Sequence, residues 1–318
     1  MPRNFLRSLC ASIALSWLAH LHASCATGQE NTTPALIRGK AYELIDAGSK
    51  KLPDPVIDGQ KPRIHTQGIY VSQHSLYVTG RMEREPKQAL FLRFERADLI
   101  LKEVLNLTPI SNEDPSEKLH RDHPGGFDYD GQCFWIPVAV SSRHSSTAMI
   151  QVCTTLDTDL NSASSEVSFM VDDHIGAIAF DRDKKILYGA NWDTEIVYLW
   201  NRDGKLLNRL PRSEFLGGDS ECALAVQDWK GLPTGGLVAG GIDKRPQGDP
   251  LQSRAVIQWV DLAGSQTPEF LRLPDSTAER HHATREGMAF FDQQLFLLPG
   301  DLGDSAILFR YRVKPLGK

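Results

Sequence analysis

The chain has 318 residues, 41% of them hydrophobic, and a formal net charge of −5, which suits one large core and excludes a disordered chain or a membrane bundle. Its acidic balance argues against nucleic acid as a partner, because phosphate binding needs a basic surface.

The first element reads as a leader. Arg3 and Arg7 precede an apolar run from Ser8 to Leu21, broken only by small polar residues and His20, and then comes Ala23-Ser24-Cys25-Ala26. That order is a secretory signal peptide over residues 1–26, cleaved after Cys25 or Ala26. The apolar run of about 14 residues is shorter than the roughly 20 that span a bilayer, so no transmembrane segment is expected in the mature chain. Export to the periplasm or outside the cell follows, with a lipid anchor on Cys25 as a minor alternative that His22 disfavours. Losing the leader removes two arginines and no acids, which takes the charge from −5 to about −7.

A polar segment, residues 27–34, is expected to be disordered, and residues 35–318 to form one domain. Within it, apolar runs of four to eight residues alternate with turn-forming clusters, an all-β pattern. One unit recurs with varying loops. It opens at His65-Thr66-Gln67-Gly68-Ile69, followed by SLYVTG, ALFLRFE and LKEVLNL, and again at His123-Pro124-Gly125-Gly126-Phe127, followed by CFWIPVAV, AMIQVCTTL and EVSFMV. A third unit opens at His174-Ile175-Gly176-Ala177-Ile178, a fourth near Glu221-Cys222-Ala223-Leu224 and a fifth at Glu286-Gly287-Met288-Ala289. The fifth is one strand short, and Ala35 to Ile45 (ALIRGKAYELI) is expected to supply the missing strand and close a ring. The expected fold is therefore an all-β propeller of five blades with four antiparallel strands each. A six-bladed ring and a pair of β-sandwiches are the alternatives, and the recurrent opening motif favours the propeller.

The first strand of a propeller blade lines the central channel, so the heads should form a ring of His65, His123, His174, Glu221 and Glu286 at its mouth. Loops between second and third strands belong on the same face and carry Arg81 and Arg84, Arg143 and His144, Asn191, Trp192 and Asp193, Asp243, Lys244 and Arg245, and Asp301. Three readings of the ring compete. Imidazoles and carboxylates are ordinary ligands of zinc or another divalent metal, which makes His65, His123, His174, Glu221 and Glu286 a candidate metal set. Without a metal, His123, His174 and Glu286 are candidate catalytic groups, able to exchange protons near neutral pH. Arg81, Arg143, His144, Trp192, Asp193 and Arg245 would then bind a small polar or anionic ligand. In the third reading the histidines bond neighbouring backbone and fix blade geometry.

Gly68, Gly125, Gly126, Gly176 and Gly287 beside the heads read as close-approach positions. Trp135, Trp200, Trp229 and Trp259 read as packing between blades, leaving Trp192 as the one ligand-contacting tryptophan. Cys133 and Cys153 lie on two strands of one hairpin, which allows either a cross-strand disulfide or two buried thiols. Cys222 reads as a small buried residue before it reads as a nucleophile. No GxSxG elbow, HExxH helix, phosphate loop or CxxC pair occurs.

At the heads HTQG, HPGGFDYDG and DDHIGAIAFD, and at GANWDTEIVYLW, the chain resembles an uncharacterised family of secreted propeller-like proteins over about Ile64 to Trp200. More distantly it resembles the gluconolactonase, arylesterase and strictosidine synthase-like propellers, a likeness that implies a calcium ion held by acidic and amide side chains at the channel. His stands here where those enzymes carry Glu, Asn or Asp. The functional expectation is an exported propeller binding a small polar or anionic ligand at the channel mouth, with hydrolysis as its further expectation. A non-catalytic scaffold for envelope proteins is the alternative.

Overall fold

The structure, a computed structural model, describes residues 42–112, 120–216, 222–233, 235–245, 254–260, 269–273, 283–302 and 305–315. The leader, the polar segment, residues 35–41 and Glu221 lie outside the described residues. No helix among the described residues is long and apolar enough to cross a membrane.

Strand β1 (Tyr42–Lys51) comes first in the chain but belongs to the last sheet. Blade one is β2 (Ile64–Val71), β3 (Ser75–Met82), β4 (Ala89–Glu95) and β5 (Leu101–Asn106), followed by the helical turn α1 (Thr108–Ser111). Blade two has a divided inner strand, β6 (Arg121–Pro124) and β7 (Asp128–Tyr129), then β8 (Cys133–Val140), β9 (Thr147–Cys153) and β10 (Ser164–Val171). Blade three is β11 (Ile175–Asp181), β12 (Ile186–Asn191), β13 (Ile196–Asn201) and β14 (Leu206–Pro211), ending in α2 (Arg212–Phe215). Blade four is β15 (Leu224–Gly231), β16 (Leu237–Asp243), β17 (Ala255–Val260) and β18 (Glu269–Arg272). Blade five is β19 (Gly287–Phe291), β20 (Gln294–Leu298), the short β21 (Asp301–Leu302) and β22 (Ser305–Pro315), with β1 as its outer strand.

Five antiparallel sheets in chain order make the propeller. Each starts with a strand buried along nearly its whole length, such as β15, and ends on an exposed one, such as β14. That gradient follows from position, because both faces of an inner strand are covered by neighbouring blades, and its polar residues are buried with the rest, whereas an outer strand leaves residues to solvent. Among the described residues, the closing strand extends beyond ALIRGKAYELI. It includes Tyr42 to Ile45 but runs on through DAGSKK to Lys51, pairing Tyr42 with Pro315 and Lys51 with Ile307. Polar residues continue it because an outer strand needs only one face covered.

Five apolar clusters fill the gaps between neighbouring blades. Trp135 and Met149 of blade two, for example, pack with Ile175, Ile178 and Trp200 of blade three. Trp229 and Trp259 are also buried between blades, each contributing area burial worth roughly 1.5–3 kcal/mol or more. Cys133 and Cys153 face each other across β8 and β9 and form a disulfide. Buried Cys222 has its thiol pushed up to about 11 by burial, which leaves it protonated and inert as a nucleophile.

The glycines of blade two explain its divided inner strand. A Cβ on Gly125 would collide with the Gly176 carbonyl, and one on Gly126 would stand 2.6 Å from the Gln227 carbonyl oxygen. With no side chain in the way, the Gly126 amide donates to the Gly176 carbonyl (2.9 Å) and its own carbonyl accepts from Ile178 (3.0 Å). Blade two thus borrows a parallel bridge from blade three.

Two buried aspartates tie the inner strands together. Asp228 accepts from the amides of Ile69 (3.1 Å, blade one) and Met288 (3.0 Å, blade five). Asp128 of blade two accepts from Phe180 (3.0 Å, blade three) and Gly231 (2.8 Å, blade four). The Lys230 ammonium pairs with Asp228 and donates to the Phe127 carbonyl at 2.7 Å. All five blades meet in this network. Burial raises both carboxyls, Asp228 to about 6, with Lys230 opposing the shift.

Candidate ligand-binding cavity

A cavity of about 510 Å³ lies where the blades open, and it is lined by heads from four of them: His65, His123, His174 and Glu286. The heads reach it because each sits at or just before the start of an inner strand. Gln67 and Gln227, on β2 and β15, also line it, a residue or two before the Asp228 network. Trp192, Asp193, Lys244, Arg254 and Arg285 form further wall.

The two deeper histidines have defined tautomers. Nδ1 of His174 stands near the carbonyls of Ser142 at 2.8 Å and Val140 at 3.1 Å and near Ser145 Oγ at 3.3 Å, whose hydroxyl reaches the same two carbonyls; a carbonyl can only accept, so Nδ1 carries the hydrogen and Nε2 is a lone-pair acceptor. His123 is the reverse. Its Nδ1 lies 3.3 Å from Nη1 of Arg81, and a guanidinium cannot accept, so Nδ1 holds the lone pair and Nε2 the hydrogen. Their rings stand 5.5 Å apart. Burial keeps both neutral, His174 below its ordinary value and His123 down to about 3, where His174, Arg81 and His65 add to the effect.

Glu286 is 5% exposed, with His65 Nε2 at 3.8 Å and Arg285 Nε at 3.5 Å from its carboxylate. Trp192 is 36% exposed and sets its ring edge-on to His174, centroids 4.7 Å apart. It sits in a strained turn, since Asp193 and Thr194 both adopt φ of 56°. For β-branched Thr194 that conformation costs on the order of 1–3 kcal/mol. Thr194 Oγ1 holds it by accepting from the Val226 amide at 2.8 Å. Asp193 pairs with Lys244 at 2.8 Å. Arg254 has no hydrogen-bond or ion-pair partner for its guanidinium among the described residues, which leaves a cation open to a ligand.

Several expected ligand-binding residues stand elsewhere. Arg81 is behind the wall, bonded to His123, Ser141 (2.7 Å) and Glu83 (3.3 Å), where it orients an imidazole. Arg143 is exposed and pairs with Glu195, and exposed His144 does not line the cavity. Arg84 is likewise exposed. Arg245 is drawn off by Asp243, which Arg272 also holds. Burial alone would raise the Asp243 carboxyl, but the two guanidinium groups hold it well below the usual range. Arg81, Arg143 and Arg245 are drawn to partners of their own, so sharing a face of the ring did not mean sharing the cavity. Gln67, Gln227, Arg254 and Arg285 carried no repeat signal and were not among the expected residues.

Among the described residues, no group of three or more His, Cys, Asp or Glu side chains is placed to hold a metal ion. His65, His123, His174 and Glu286 surround a cavity and do not converge on a point. The wall also carries oxygen donors of the kind calcium takes, on Gln67, Asn191, Gln227, Asp193 and Glu286, but Asp193 pairs with Lys244 and the Asn191 side-chain carbonyl oxygen accepts from the Ile196 amide.

The fold and this cavity define a five-bladed propeller with a polar cavity where its blades open. Residues 117–216, from blade two to the end of blade three, match the model of a family of unknown function, DUF6454. No curated protein matches the sequence. Among solved structures, the chain is similar to one from work on the GH130 mannoside phosphorylases and glycoside hydrolases that target β-1,2-mannosidic linkages in Candida mannan. Identity there is 13%, coverage 87% of this chain and 95% of that one, and the TM-score 0.51. It is also similar to a gluconolactonase from Xanthomonas campestris, at 12% identity, 86% and 99% coverage and a TM-score of 0.42. A luciferin-regenerating enzyme gives 12% identity, 80% coverage of each chain and a TM-score of 0.46. Likeness at these identities concerns the fold alone.

Proposed function

We propose that this chain is an exported propeller that binds a small, polar, anionic molecule in the mouth cavity and hydrolyses an ester or lactone bond in it. The observation that carries this reading is the pair of complementary imidazoles, one offering a lone pair and the other a hydrogen, on the wall of one cavity. His174 Nε2 takes a proton from water as the water oxygen bonds to the carbonyl carbon, and His123 Nε2–H donates to the oxyanion that forms. Collapse of the tetrahedral intermediate breaks the carbon–alkoxide bond, and the imidazolium of His174 returns its proton to the leaving oxygen. Arg254 pairs with the ligand's anionic group, while Trp192 supplies an apolar wall. Glycosidic hydrolysis by two carboxylates is less well supported, because Asp193, the second acid on the wall beside Glu286, is held by Lys244.

A scaffold would have its imidazoles satisfied within the protein and a shallow funnel. Here Nδ1 of each is satisfied, but Nε2 of each has no partner among the described residues, and the funnel is a cavity of about 510 Å³. The leader-like residues and the Cys133–Cys153 disulfide support placing the activity outside the cytoplasm. Fusing residues 1–26 to a reporter active only after export tests that part.

The test of the site uses gluconate binding by calorimetry and turnover of its lactone. His174→Asn keeps an amide donor for the Ser142 carbonyl but removes Nε2, so the melting midpoint should hold while turnover falls at least roughly 100-fold. Arg254→Gln should raise KM with little change in kcat. Wild-type protein that neither binds small hydroxy acids nor opens their lactones would remove the proposal and leave the scaffold.

A further inference from the structure

A second cleft, of about 200 Å³, lies at the junction of blades one and five and away from the histidines. Its polar walls are Lys50 of the closing strand, Arg310 of β22, Arg96 of the turn after β4, and Asp292 and Gln294 at the start of β20. Three cations therefore face one carboxylate, an excess of two positive charges.

Neither arginine has an ion-pair partner among the described residues, although Asp292 and Asp157 both attract Arg96 from further off. Asp292 makes no ion pair with either among the described residues, and Nε of Arg310 is buried with no hydrogen-bond partner. Arg96 stacks its guanidinium 4.5 Å over the Phe291 ring, which occupies the face of the fork and leaves its in-plane N–H groups without an acceptor among the described residues. Lys50 donates to the Asp98 carbonyl at 2.6 Å, a bond that fixes its position and leaves its charge uncompensated. A buried guanidinium N–H without an acceptor is costly, and a chain that keeps one on Arg310, beside the half-buried Arg96 and a lysine in the same cleft, has a reason to do so. Burial also lowers the Arg96 pKa, in keeping with a desolvated cation awaiting a counter-charge.

We propose that this cleft is an anion site for a small dianionic oxyanion of the phosphate or sulfate class, and that the bound ion fastens the ring where it closes. Its two negative charges match the excess on the wall, and planar guanidinium forks suit oxyanion edges. The ion would join three segments distant in the sequence, namely the closing strand through Lys50, blade five through Arg310 and blade one through Arg96.

The experiment measures thermal midpoint and calorimetric affinity with inorganic phosphate, sulfate and acetate, each against sodium chloride at matched ionic strength. Phosphate and sulfate should raise the midpoint more than acetate or chloride. Arg96→Gln should weaken phosphate roughly tenfold, the equivalent of one charge-assisted hydrogen bond. Arg96→Gln with Arg310→Gln should abolish the shift, and Arg254→Gln in the mouth cavity should leave it intact. Loss of the effect in Arg254→Gln, or a shift equalled by chloride, would overturn the proposal. If the double variant is too unstable to melt cleanly, the single variant's affinity decides, and an unchanged affinity counts against the site.

Discussion

At His123 and His174 the two ring nitrogens divide their duties, Nδ1 bonding the protein and Nε2 left to the cavity that both residues line. The same burial that fixes the tautomers gives a signature in stability. The His123 pKa falls from 6.5 to about 3 on folding, and that of His174 moves the same way. The unfolded chain therefore binds protons that the folded one refuses, so this contribution to stability is whole above about pH 6.5 and erodes as pH falls toward 3, by at most about 1.4 kcal/mol per pH unit for each histidine. Asp228 works in the opposite sense, its raised carboxyl favouring the fold below pH 4 and losing that contribution as pH rises through about 6. The wild type alone would blend the two. Denaturation of His123→Asn beside the wild type from pH 7 to 4 should separate them, with the variant losing less stability on acidification. Parallel pH curves would show that His123 is not held neutral by the fold. In the sequence, His123 and His174 were visible as heads followed by a small residue, but their tautomers depend on Arg81 and the Val140 and Ser142 carbonyls, each in an adjacent blade and more than 30 residues away.

Strand β15 shows what the repeat could not display. LAVQDW reads as an inner strand and is one, yet its Asp228 joins blades one and five while its neighbour Lys230 reaches blade two. Nothing local marks that role, since the partners are backbone amides 159 and 60 residues away. Asp128 lay in plain view within HPGGFDYDG and was equally unreadable, because inner-strand amides find their acceptor only once the ring is built. Asp228→Asn should cost on the order of 3–5 kcal/mol, since it leaves the buried Lys230 ammonium without its counter-charge. Adding Lys230→Met should recover part of that loss, and urea denaturation of the full cycle would measure the coupling. Additive losses in the double variant would mean that the two side chains act independently.

For the molecule as a whole, the decisive step is closure. Five heads and a fifth unit lacking a strand pointed to a ring sealed from the N-terminal side, and β1 seals it, but its register lay beyond reach because DAGSKK has no apolar alternation to announce a strand. Its evidence is positional, in that the fifth sheet would otherwise end on the 11-residue strand β22. Removing residues 1–51 should therefore expose a long edge with unpaired amides and carbonyls, the situation that invites edge-to-edge pairing. The expected result is concentration-dependent association in size-exclusion chromatography and a lower, broader melt. A synthetic peptide of residues 42–51 added in trans should reverse the association, because its pairing with Ile307–Pro315 needs no covalent link to the rest of the ring. A truncated chain that stayed monomeric at high concentration, with an unchanged midpoint, would show that blade five is complete without β1 and that some other contact holds the circle shut.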